Sequence, residues 1–584
     1  MKSLIGMYRR SYSRKYIFYA IIAIVTLVID IAISLIIPYY SKQIIDVAIP
    51  NGDLNLVYSV GLFIVIIALG AVVVTILNNV AAQYLSTSIT ADLRRELFGK
   101  IQELSLANVD KITTGKLLTI VTNDTSQVQQ VLVMSFRIML RAPITFIGAI
   151  VMAYITSQDL FAVILIVVPI LAIGFTVLFK KATPRFRIMQ SKIDNLNTKL
   201  GETISGAREL KSFVTEMDEQ QKFELVNEDF NQAQISAHKL MAALSPMVTL
   251  ISNMAIVVIL YLAAIISQRP NMEMSGTVMI YIQYMQQIIM SLMMLSMVSI
   301  FVSRAGVSAE RIDMVLGTEI DIVNAIDAQE VDLDGNIQFN NVNFAYADEF
   351  GNIDGVTLHD INIDIKAGEM IGVIGSTGSG KTSLVELIPR IYDVIDGEVL
   401  IDGVDVRKHS LETLRKQIGL VTQSAVIFEG SIASNILQGK ADATLEEMQA
   451  AARAAAAEEF INGEPLGYDA PVQQNGTNLS GGQKQRLSIT RALVRKPKIL
   501  ILDDSTSAVD AKTEALIKEN LRNIKGTTVI IVAQKISSIM DCDKIVVLDT
   551  NGRVDAYGKH DDILNKSTVY QEIYQSQIGG VVYE

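Results

Sequence analysis

The first 300 residues repeatedly contain stretches of about 20 mostly apolar residues, and this feature limits the fold more than any other. A helix rises 1.5 Å per residue, so about 20 residues cross the ~30 Å hydrocarbon core of a bilayer. Half of the chain is hydrophobic and 19% is charged, which excludes a single soluble globule. We predict a polytopic α-helical membrane domain with six transmembrane helices, near residues 16–40, 56–84, 132–156, 160–180, 244–267 and 275–302.

Lysine and arginine residues predict the orientation of these spans. They are concentrated near the N-terminus and in the long connections after spans two and four, whereas the short connection 156–159, TSQD, has none. Cytoplasmic segments carry the excess of positive charge, so both chain ends are predicted to face the cytoplasm. The basic segment before the first span is predicted to be an interfacial helix, and the first span to be retained. The basic residues are Arg9, Arg10, Arg14, Lys15, Arg94, Arg95, Lys100, Lys111, Lys116, Lys180, Lys181, Arg185 and Arg187.

The two long connections show helical spacing with charged faces, as in ITADLRRELFGKIQEL. We predict that they extend the membrane helices into the cytoplasm as two helical hairpins. Solvated hairpins without a function would give the same pattern. Only a partner for their tips distinguishes the two interpretations.

After SRAGVSAERIDMVLGTE the composition changes to that of a soluble α/β domain. Short β-branched strands such as MIGVIG, KILILD and TTVIIVAQ alternate with helices and turns. We place the boundary near residue 325. The sequence therefore predicts a membrane domain over residues 1–325, with the interfacial helix and the two hairpins, and an α/β domain over residues 326–584.

Net charge and cysteine content exclude several functions. The formal net charge is −11, and nucleic-acid binding requires clustered Lys and Arg, so that class is set aside. Cys542 is the single cysteine, which excludes an internal disulfide and a multi-cysteine metal site. We predict that it is a small buried hydrophobe in a reducing compartment.

A phosphate-binding loop follows the predicted strand MIGVIG. The pattern G-x-x-x-x-G-K-[ST] lies between a strand and a helix, where its glycines let backbone N–H groups surround an anion. Lys381 can reach the outer phosphates of a nucleotide, and the Thr382 hydroxyl can ligate Mg²⁺. A structural glycine-rich turn is the weaker alternative. The residues of the motif are Gly375, Ser376, Thr377, Gly378, Ser379, Gly380, Lys381 and Thr382.

Two carboxylates follow the apolar strand ILIL in the segment ILILDDSTSAVD. Asp503, at the end of a buried strand about 120 residues after the loop, is predicted to hold the magnesium ion, usually through water. Asp504 is directly beside it. The spacing alone does not explain the second acid.

The segment LSGGQKQR, followed by the Asp503 strand and SAVD, resembles the nucleotide-binding domain of ATP-binding-cassette (ABC) transporters. Six spans followed by one such domain resemble the half-transporter exporters of that family. The resemblance implies a P-loop NTPase domain of ABC type, the cofactors ATP and Mg²⁺, and a multi-pass protein of a bacterial plasma membrane. It also implies that two nucleotide domains close head to tail, so that the signature of one chain completes the ATP site of the other. The signature residues are Leu479, Ser480, Gly481, Gly482 and Gln483.

Further residues take their roles from the resemblance. Tyr346 matches the aromatic residue that stacks on adenine, although an ordinary strand residue would look the same. Gln423 matches the glutamine that touches Mg²⁺ near the docking site of the membrane domain, and Asp510 matches the acid of the loop that crosses the dimer. Ser383, directly after the phosphate-binding loop, is also predicted to bind ATP. The hairpins would press on the nucleotide domains near Gln423, with tips near Asn108 and near Phe213 to Glu216.

Three departures from the family pattern indicate a weakened site. Asp504 stands where the family has a glutamate as general base, and it is shorter by one methylene, so an attacking water is out of its reach. Gln534 replaces the switch histidine and cannot carry imidazolium charge. Gln474 and Asn475 replace a Glu-Arg pair before the signature.

These departures imply a degenerate-site subunit of a heterodimeric exporter. It would bind Mg-ATP, hydrolyse it poorly, and lend its signature to a homologous partner with an intact catalytic Glu and switch His. A competent homodimer that tolerates Asp504 and Gln534 is the alternative. An ATP-sensing subunit that does not power transport is another.

The sequence says less about the substrate. We predict export of hydrophobic or cationic small compounds (multidrug efflux), with lipid or peptide export as the nearest alternative. Methionines suit a cavity of variable shape, although core or lipid-facing packing explains any one of them. Asp30 in the first span could attract cations or form hydrogen bonds within the bundle. Arg137 and Arg141 in the third span are predicted to lie toward the cytoplasm. The methionines of spans five and six are Met241, Met247, Met254, Met279, Met285, Met290, Met293, Met294 and Met297.

Overall fold

A computed structural model of the protein describes residues 14–267, 275–346 and 355–578. The chain divides into two compact units, Met1–Lys100 with Leu118–Gly317, and Ile101–Leu117 with Thr318–Glu584. We call them the membrane unit and the nucleotide unit. The predicted ranges 1–325 and 326–584 stay a prediction. The predicted interfacial helix, with Arg9 and Arg10, and the side chains of Arg14, Lys15 and Met297 lie outside the described residues.

Long helices form the membrane unit. The six predicted spans are confirmed as helices of sufficient length and hydropathy, Tyr16–Ala48, Leu54–Glu103, Thr114–Thr156, Gln158–Ser205, Glu216–Ile266 and Ser275–Leu295. The α-helices up to residue 317 are α1 Arg14–Gln43, α2 Leu54–Glu103, α3 Leu106–Ile112, α4 Thr114–Thr119, α5 Thr125–Met134, α6 Arg141–Thr156, α7 Gln158–Ser205, α8 Ala207–Phe213, α9 Glu216–Ala242, α10 Leu244–Ile266 and α11 Ser275–Gly317. Of these, α3 folds with the nucleotide unit.

The membrane helices continue without a break into the two long connections. α2 has 50 residues and α7 has 48, so each is over 70 Å long at about 1.5 Å per residue. This confirms that the two connections extend the membrane helices. The second hairpin turns at Val214, whose φ of 56° is left-handed, and its apolar tip residues Phe213 and Val214 are 75% and 81% exposed.

Three π-helical turns interrupt the helices of the membrane unit, at Ile44–Ala48, Ile120–Asp124 and Ser135–Met139. A π-turn adds a residue to the helical repeat and redirects the following side chains. Asp46 in the first turn accepts a hydrogen bond from the Gly276 backbone over 2.6 Å. Asp124 in the second is buried and accepts hydrogen bonds from Arg311 and Ser308. The third contains Arg137.

Intramembrane polar groups and methionines differ in their surroundings. Asp30 is buried, forms an ion pair with Arg141 over 2.8 Å, and accepts a hydrogen bond from Thr75 over 2.7 Å. This favours the alternative that Asp30 bonds within the bundle. Met285 is part of the apolar core, whereas Met254, Met279 and Met290 are exposed on the isolated chain.

Two sheets and the surrounding helices form most of the nucleotide unit. The larger sheet has the order β12-β11-β3-β10-β9-β6 and is parallel except at β12; the smaller has the order β2-β1-β4-β5 and is antiparallel. The strands are β1 Ile337–Phe344, β2 Leu358–Ile365, β3 Met370–Gly375, β4 Asp396–Ile401, β5 Val404–Asp405, β6 Ile418–Val421, β7 Gly430–Ser431, β8 Pro471–Val472, β9 Ile499–Asp503, β10 Thr528–Val532, β11 Lys544–Leu548 and β12 Val554–Gly558. The helices are α12 Lys381–Glu386, α13 Leu411–Lys416, α14 Ile432–Leu437, α15 Leu445–Ala454, α16 Glu458–Gly463, α17 Gly481–Leu493, α18 Ala511–Arg522, α19 His560–Leu564 and α20 Thr568–Ile578.

The central strands are buried on both faces, which is why they are continuous apolar runs rather than alternating ones. β3, β10 and β9 lie side by side and run parallel, so their carboxyl ends meet at one edge of the sheet. Cys542 is buried in the core beside them, as predicted, and burial raises the pKa of its thiol to about 12. The predicted fold class is confirmed, with six membrane helices and one α/β nucleotide domain.

Candidate nucleotide site

The glycine-rich loop follows β3 and leads into α12. Gly378 and Gly380 both have φ of +84°, a backbone conformation that residues with a side chain rarely adopt. A Cβ on Gly375 would lie 2.6 Å from both the Leu548 carbonyl oxygen and Ser379 Oγ, so this position has no room for a side chain. The loop is therefore shaped by its own backbone, as a phosphate cradle requires.

The polar groups of the loop are suited to an anion. Lys381 Nζ donates hydrogen bonds to the carbonyl oxygens of Gly375 and Ser376, over 3.0 and 2.8 Å. Burial lowers the pKa of Lys381, and the nearby Asp503 and Asp504 oppose that shift. Ser379 Oγ is buried and has no hydrogen-bond partner among the described residues. A buried hydroxyl without a partner, in a loop that also carries the Lys381 ammonium group, fits a phosphate ligand.

Asp503 lies at the end of β9, next to the start of α12. Thr382 Oγ1 donates a hydrogen bond to Asp503 Oδ2 over 2.8 Å. Burial raises the pKa of Asp503, the Thr382 hydrogen bond lowers it, and the charge of Asp504 raises it. A hydroxyl and a carboxylate in contact are oxygen ligands of the kind that Mg²⁺ uses together with nucleotide phosphates. Within the described residues no cluster of three or more His, Cys, Asp or Glu side chains could hold a metal ion by itself, so Mg²⁺ at this site would also need oxygen ligands from the nucleotide.

Asp504, the second acid, is held by two amide side chains. Its Oδ2 accepts a hydrogen bond from Gln423 Nε2 over 3.2 Å and from Gln534 Nε2 over 3.1 Å. Its backbone is left-handed, with φ of 45°, a region that short acids and amides tolerate better than most side chains. Sequence reasoning singled out all three residues but did not foresee that they meet on one oxygen.

Most of the residues predicted for the nucleotide line one pocket of 360 Å³, whereas Gly375, Ser376 and Ser379 are not part of its lining. Tyr346 is at its rim, 41% exposed, and forms a hydrogen bond with Ser383 Oγ over 2.8 Å. Its ring makes an edge contact with Tyr392, with centroids 5.2 Å apart. The pocket is lined by Tyr346, Thr357, Thr377, Gly378, Gly380, Lys381, Thr382, Ser383, Gln423, Asp503, Asp504, Val532, Ala533 and Gln534.

The short helix α3, at the tip of the first hairpin, packs within the nucleotide unit. Ser105 caps it through a capping box with Asn108, and the Asn108 amide donates to Asp321 over 2.9 Å. Tyr392 donates a hydrogen bond to Asp110 over 2.7 Å. Tyr392 thus contacts both α3 and Tyr346. No sequence pattern pointed to Tyr392.

The signature begins α17. Ser480 is the N-cap of α17, and its side chain forms a capping box with Gln483. The capping box does not use the backbone N–H groups of Gly481 and Gly482. A Cβ on Gly481 would meet only Ala508, at 3.4 Å, whereas one on Gly482 would lie 3.0 Å from the Ala508 carbonyl oxygen. Leu479 is buried. The signature residues are not part of the 360 Å³ pocket lining.

Two other predicted positions also lie outside that pocket lining. Asp510 is the N-cap of α18 and accepts a hydrogen bond from the Thr513 backbone over 3.0 Å. Gln474 and Asn475 are in a short turn before the signature, where Asn475 is left-handed with φ of 56°. Gln485 of α17 joins the signature helix to the Asp510 loop, because its Oε1 accepts from the Ala508 backbone.

Six apolar helices fused to an α/β domain with a complete phosphate loop define an ATP-driven membrane transporter that carries one nucleotide domain on each chain. The family description "ABC transporter transmembrane region" matches residues 20–292, and "ABC transporter" matches residues 358–507. The chain belongs to the ABC transporter family, as an exporter-type half-transporter. It is therefore a multi-pass membrane protein that works as a dimer with another ABC subunit.

Similar proteins cover nearly the whole chain. The uncharacterized ABC transporter ATP-binding protein YfiB of Bacillus subtilis (strain 168) is 36% identical over 97% of this chain and 98% of its own. The ATP-dependent lipid A-core flippase of Syntrophus aciditrophicus (strain SB) is 31% identical over 95% of this chain and 92% of its own. The solved structure of a bacterial Atm1-family ABC exporter with ATP bound has a TM-score of 0.78 at 26% identity, covering 96% of this chain and 98% of that one.

Proposed function

We propose that this chain is one subunit of a heterodimeric ABC exporter. It binds Mg-ATP at a degenerate site that hydrolyses poorly, and it donates its signature to the catalytic site of its partner. The partner carries a glutamate after its own magnesium aspartate and a histidine in its switch. Both chain ends and the nucleotide unit face the cytoplasm of a bacterial cell.

The hydrogen bonds to Asp504 carry this proposal. A general base must come within about 2.6–3.2 Å of the proton it takes, and Asp504 is one methylene shorter than glutamate. Its Oδ2 is also engaged by two amide donors, Gln423 and Gln534. These two donors occupy the oxygen that would have to accept a proton from the attacking water. Gln534 brings an amide, without charge, to the position that faces the γ-phosphate.

Nucleotide binding rests on groups that are intact. The loop backbone, Lys381 and Ser379 would hold the phosphates, Thr382 and Asp503 with Gln423 would hold Mg²⁺, and Tyr346 would stack on adenine. When bound, Mg²⁺ supplies charge neutralisation on the phosphate oxygens. The residues of this chain orient the nucleotide and hold it, and the shortened base leaves the attacking water without a proton acceptor.

The signature sequence LSGGQ matches the family pattern at every position, and the backbone N–H groups of its two glycines lie at the start of α17. Backbone N–H groups at a helix start favour a phosphate. They are not part of the 360 Å³ pocket lining of the same chain, and this supports a role at the γ-phosphate of another subunit. The exposed apolar tip at Phe213 and Val214 supports docking of the second hairpin on a partner subunit, because such residues favour burial.

The experiment uses this full-length chain, purified alone and with the half-transporter that copurifies from its native membrane. We expect the lone chain to retain ATP with little turnover and the pair to hydrolyse briskly. Ser480→Ala in this chain is expected to slow the pair. Brisk hydrolysis by the lone chain would instead support the competent homodimer.

The transported class is proposed as hydrophobic or amphiphilic compounds. Substrate-stimulated ATPase of the purified pair would separate an exporter from an ATP-sensing subunit. Lipid export is a second candidate, favoured by the similarity to the lipid A-core flippase and by the pairing of Asp30 with Arg141, which leaves no free acid there for a cation.

A further inference from the structure

A cavity of 780 Å³ lies within the membrane unit, between α2 and the segment from α5 to the start of α6. Its lining includes amide side chains, among them Asn79, Gln83 and Gln130, and apolar residues, among them Val133 and Ile138. The volume is within the range of sites that bind drug-sized molecules, about 300–1,000 Å³. A lining that combines amide and apolar side chains fits an amphiphile better than a purely apolar compound.

The cavity carries one uncompensated charge among the described residues that line it. Arg137 and Arg141 are the charged residues of this lining. Arg141 is neutralised by its ion pair with Asp30. For Arg137 the described part of the chain offers no ion pair and no hydrogen-bonded acceptor. The cavity is therefore positive by one guanidinium group.

The backbone supports a functional role for Arg137. It is in the third π-turn, Ser135–Met139, and the other two π-turns each direct an acid to a partner, Asp46 to Gly276 and Asp124 to Arg311. π-turns are rare and occur frequently at functional sites. A charged residue in a membrane segment is costly unless it is paired or meets water or ligand. Arg137 is thus in a π-turn, as are the paired acids Asp46 and Asp124, but the described residues offer Arg137 no acidic partner.

We propose that this cavity binds the acidic head group of an anionic amphiphile, with Arg137 as its anion-binding residue. A planar guanidinium matches a phosphate or carboxylate through two parallel hydrogen bonds. The amides of Asn79, Gln83 and Gln130 are neutral and can bond further head-group oxygens, and Val133, Ile138 and Met294 face the apolar part. This rests on the proposed export function and narrows its substrates from amphiphilic compounds in general to anionic amphiphiles, in place of the cationic compounds predicted from the sequence.

The test is equilibrium binding to the full-length chain in phosphatidylcholine nanodiscs, with empty nanodiscs subtracted. The probes are dodecyl phosphate, dodecyltrimethylammonium and inorganic phosphate, which separate head-group charge from the presence of a chain. We expect dodecyl phosphate to bind about tenfold more tightly than the ammonium probe, a difference of about 1.4 kcal/mol. Inorganic phosphate is expected to bind more weakly than dodecyl phosphate.

The variant is Arg137→Gln, which is expected to abolish the preference for dodecyl phosphate, and Arg137→Lys is expected to restore part of it. The matched control is Arg95→Gln, whose side chain is 79% exposed and outside the cavity. A wild-type midpoint of thermal unfolding for Arg137→Gln in detergent establishes that its membrane unit is folded. Equal affinity for both amphiphiles, a preference that survives Arg137→Gln, or equally tight inorganic phosphate would overturn the proposal. Because no ATP is hydrolysed, failure of the degenerate-site proposal leaves this readout unchanged.

Discussion

The Gln534 amide donates a hydrogen bond to Asp504 Oδ2 over 3.1 Å, across 30 positions of the sequence. The two residues that depart from the family pattern are thus in contact with each other. Gln423, which precedes Asp504 by 81 positions in the sequence, donates a hydrogen bond to the same oxygen. Asp504 and Gln534 therefore form one hydrogen-bonded group, so that a change in either side chain alters the surroundings of the other.

We predict that Asp504→Glu combined with Gln534→His raises hydrolysis at this site in the assembled pair by about tenfold or more, because general-base catalysis contributes typically 10²–10⁴-fold. Single-site turnover is measured with the partner's catalytic glutamate changed to glutamine. Asp504→Asn is the control, since it keeps the size of the side chain but cannot accept a proton. No gain in the double variant would mean that another residue limits this site.

Gly481 is expected to act on a nucleotide outside its own chain. Its Cβ position meets only Ala508 at ordinary contact distance, so Gly481→Asp should leave folding and ATP binding by this chain unchanged. A carboxylate at the start of α17 would repel a γ-phosphate, and we expect the ATPase of the pair to fall about 100-fold. Leu445→Asp puts the same charge at the first position of α15 and should keep full activity. An active Gly481→Asp pair would exclude the signature from the partner's site.

Tyr392→Phe should loosen α3. The hydroxyl of Tyr392 bonds the Asp110 carboxylate, and a hydrogen bond to a charged group contributes about 1.5 kcal/mol or more. Amide hydrogen exchange over residues 105–112 is therefore expected to become about tenfold faster. Tyr557→Phe removes a hydroxyl that bonds Asp364 elsewhere in the nucleotide unit, and it should leave that exchange unchanged. Unchanged exchange in Tyr392→Phe would show that other contacts hold the helix.

The pair of buried Asp124 and partly exposed Arg311 is expected to stabilise the membrane unit only while both partners are present. Arg311→Met leaves the buried Asp124 carboxyl without its guanidinium partner, which we expect to cost about 2 kcal/mol because Arg311 is partly exposed to solvent, and adding Asp124→Asn should recover part of it. Thermal unfolding of the full chain in detergent measures both changes. Arg95→Gln breaks an exposed pair and should change stability by less than about 1 kcal/mol. A single Arg311→Met without effect would contradict this account.

The sequence predicts what depends on local length and spacing. Six apolar segments are long enough to span a bilayer and need no tertiary information, and the spacing from Gly375 to Thr382 specifies a loop whose backbone makes the site. Asp503 could be predicted because it ends an apolar strand, and parallel strands bring their ends together.

What the sequence does not predict depends on packing between distant segments. The π-turn at Arg137 adds one residue to a helix, and no hydropathy pattern marks it. The contact of Tyr392 with Asp110 joins positions 282 residues apart, and either residue alone looks like an ordinary surface side chain. The pairing of Asp30 with Arg141 likewise needs the register between α1 and α6.

Residues 101–117 fold with the nucleotide unit although they are encoded between the second and third membrane spans. The polypeptide therefore passes from one unit to the other at 100–101, 117–118 and 317–318. An ATPase fragment excised at residue 318 would lack α3 and would expose the surface around Tyr392 and Phe344 to water. Nucleotide affinities measured on such a fragment would describe a nucleotide unit that lacks residues 101–117.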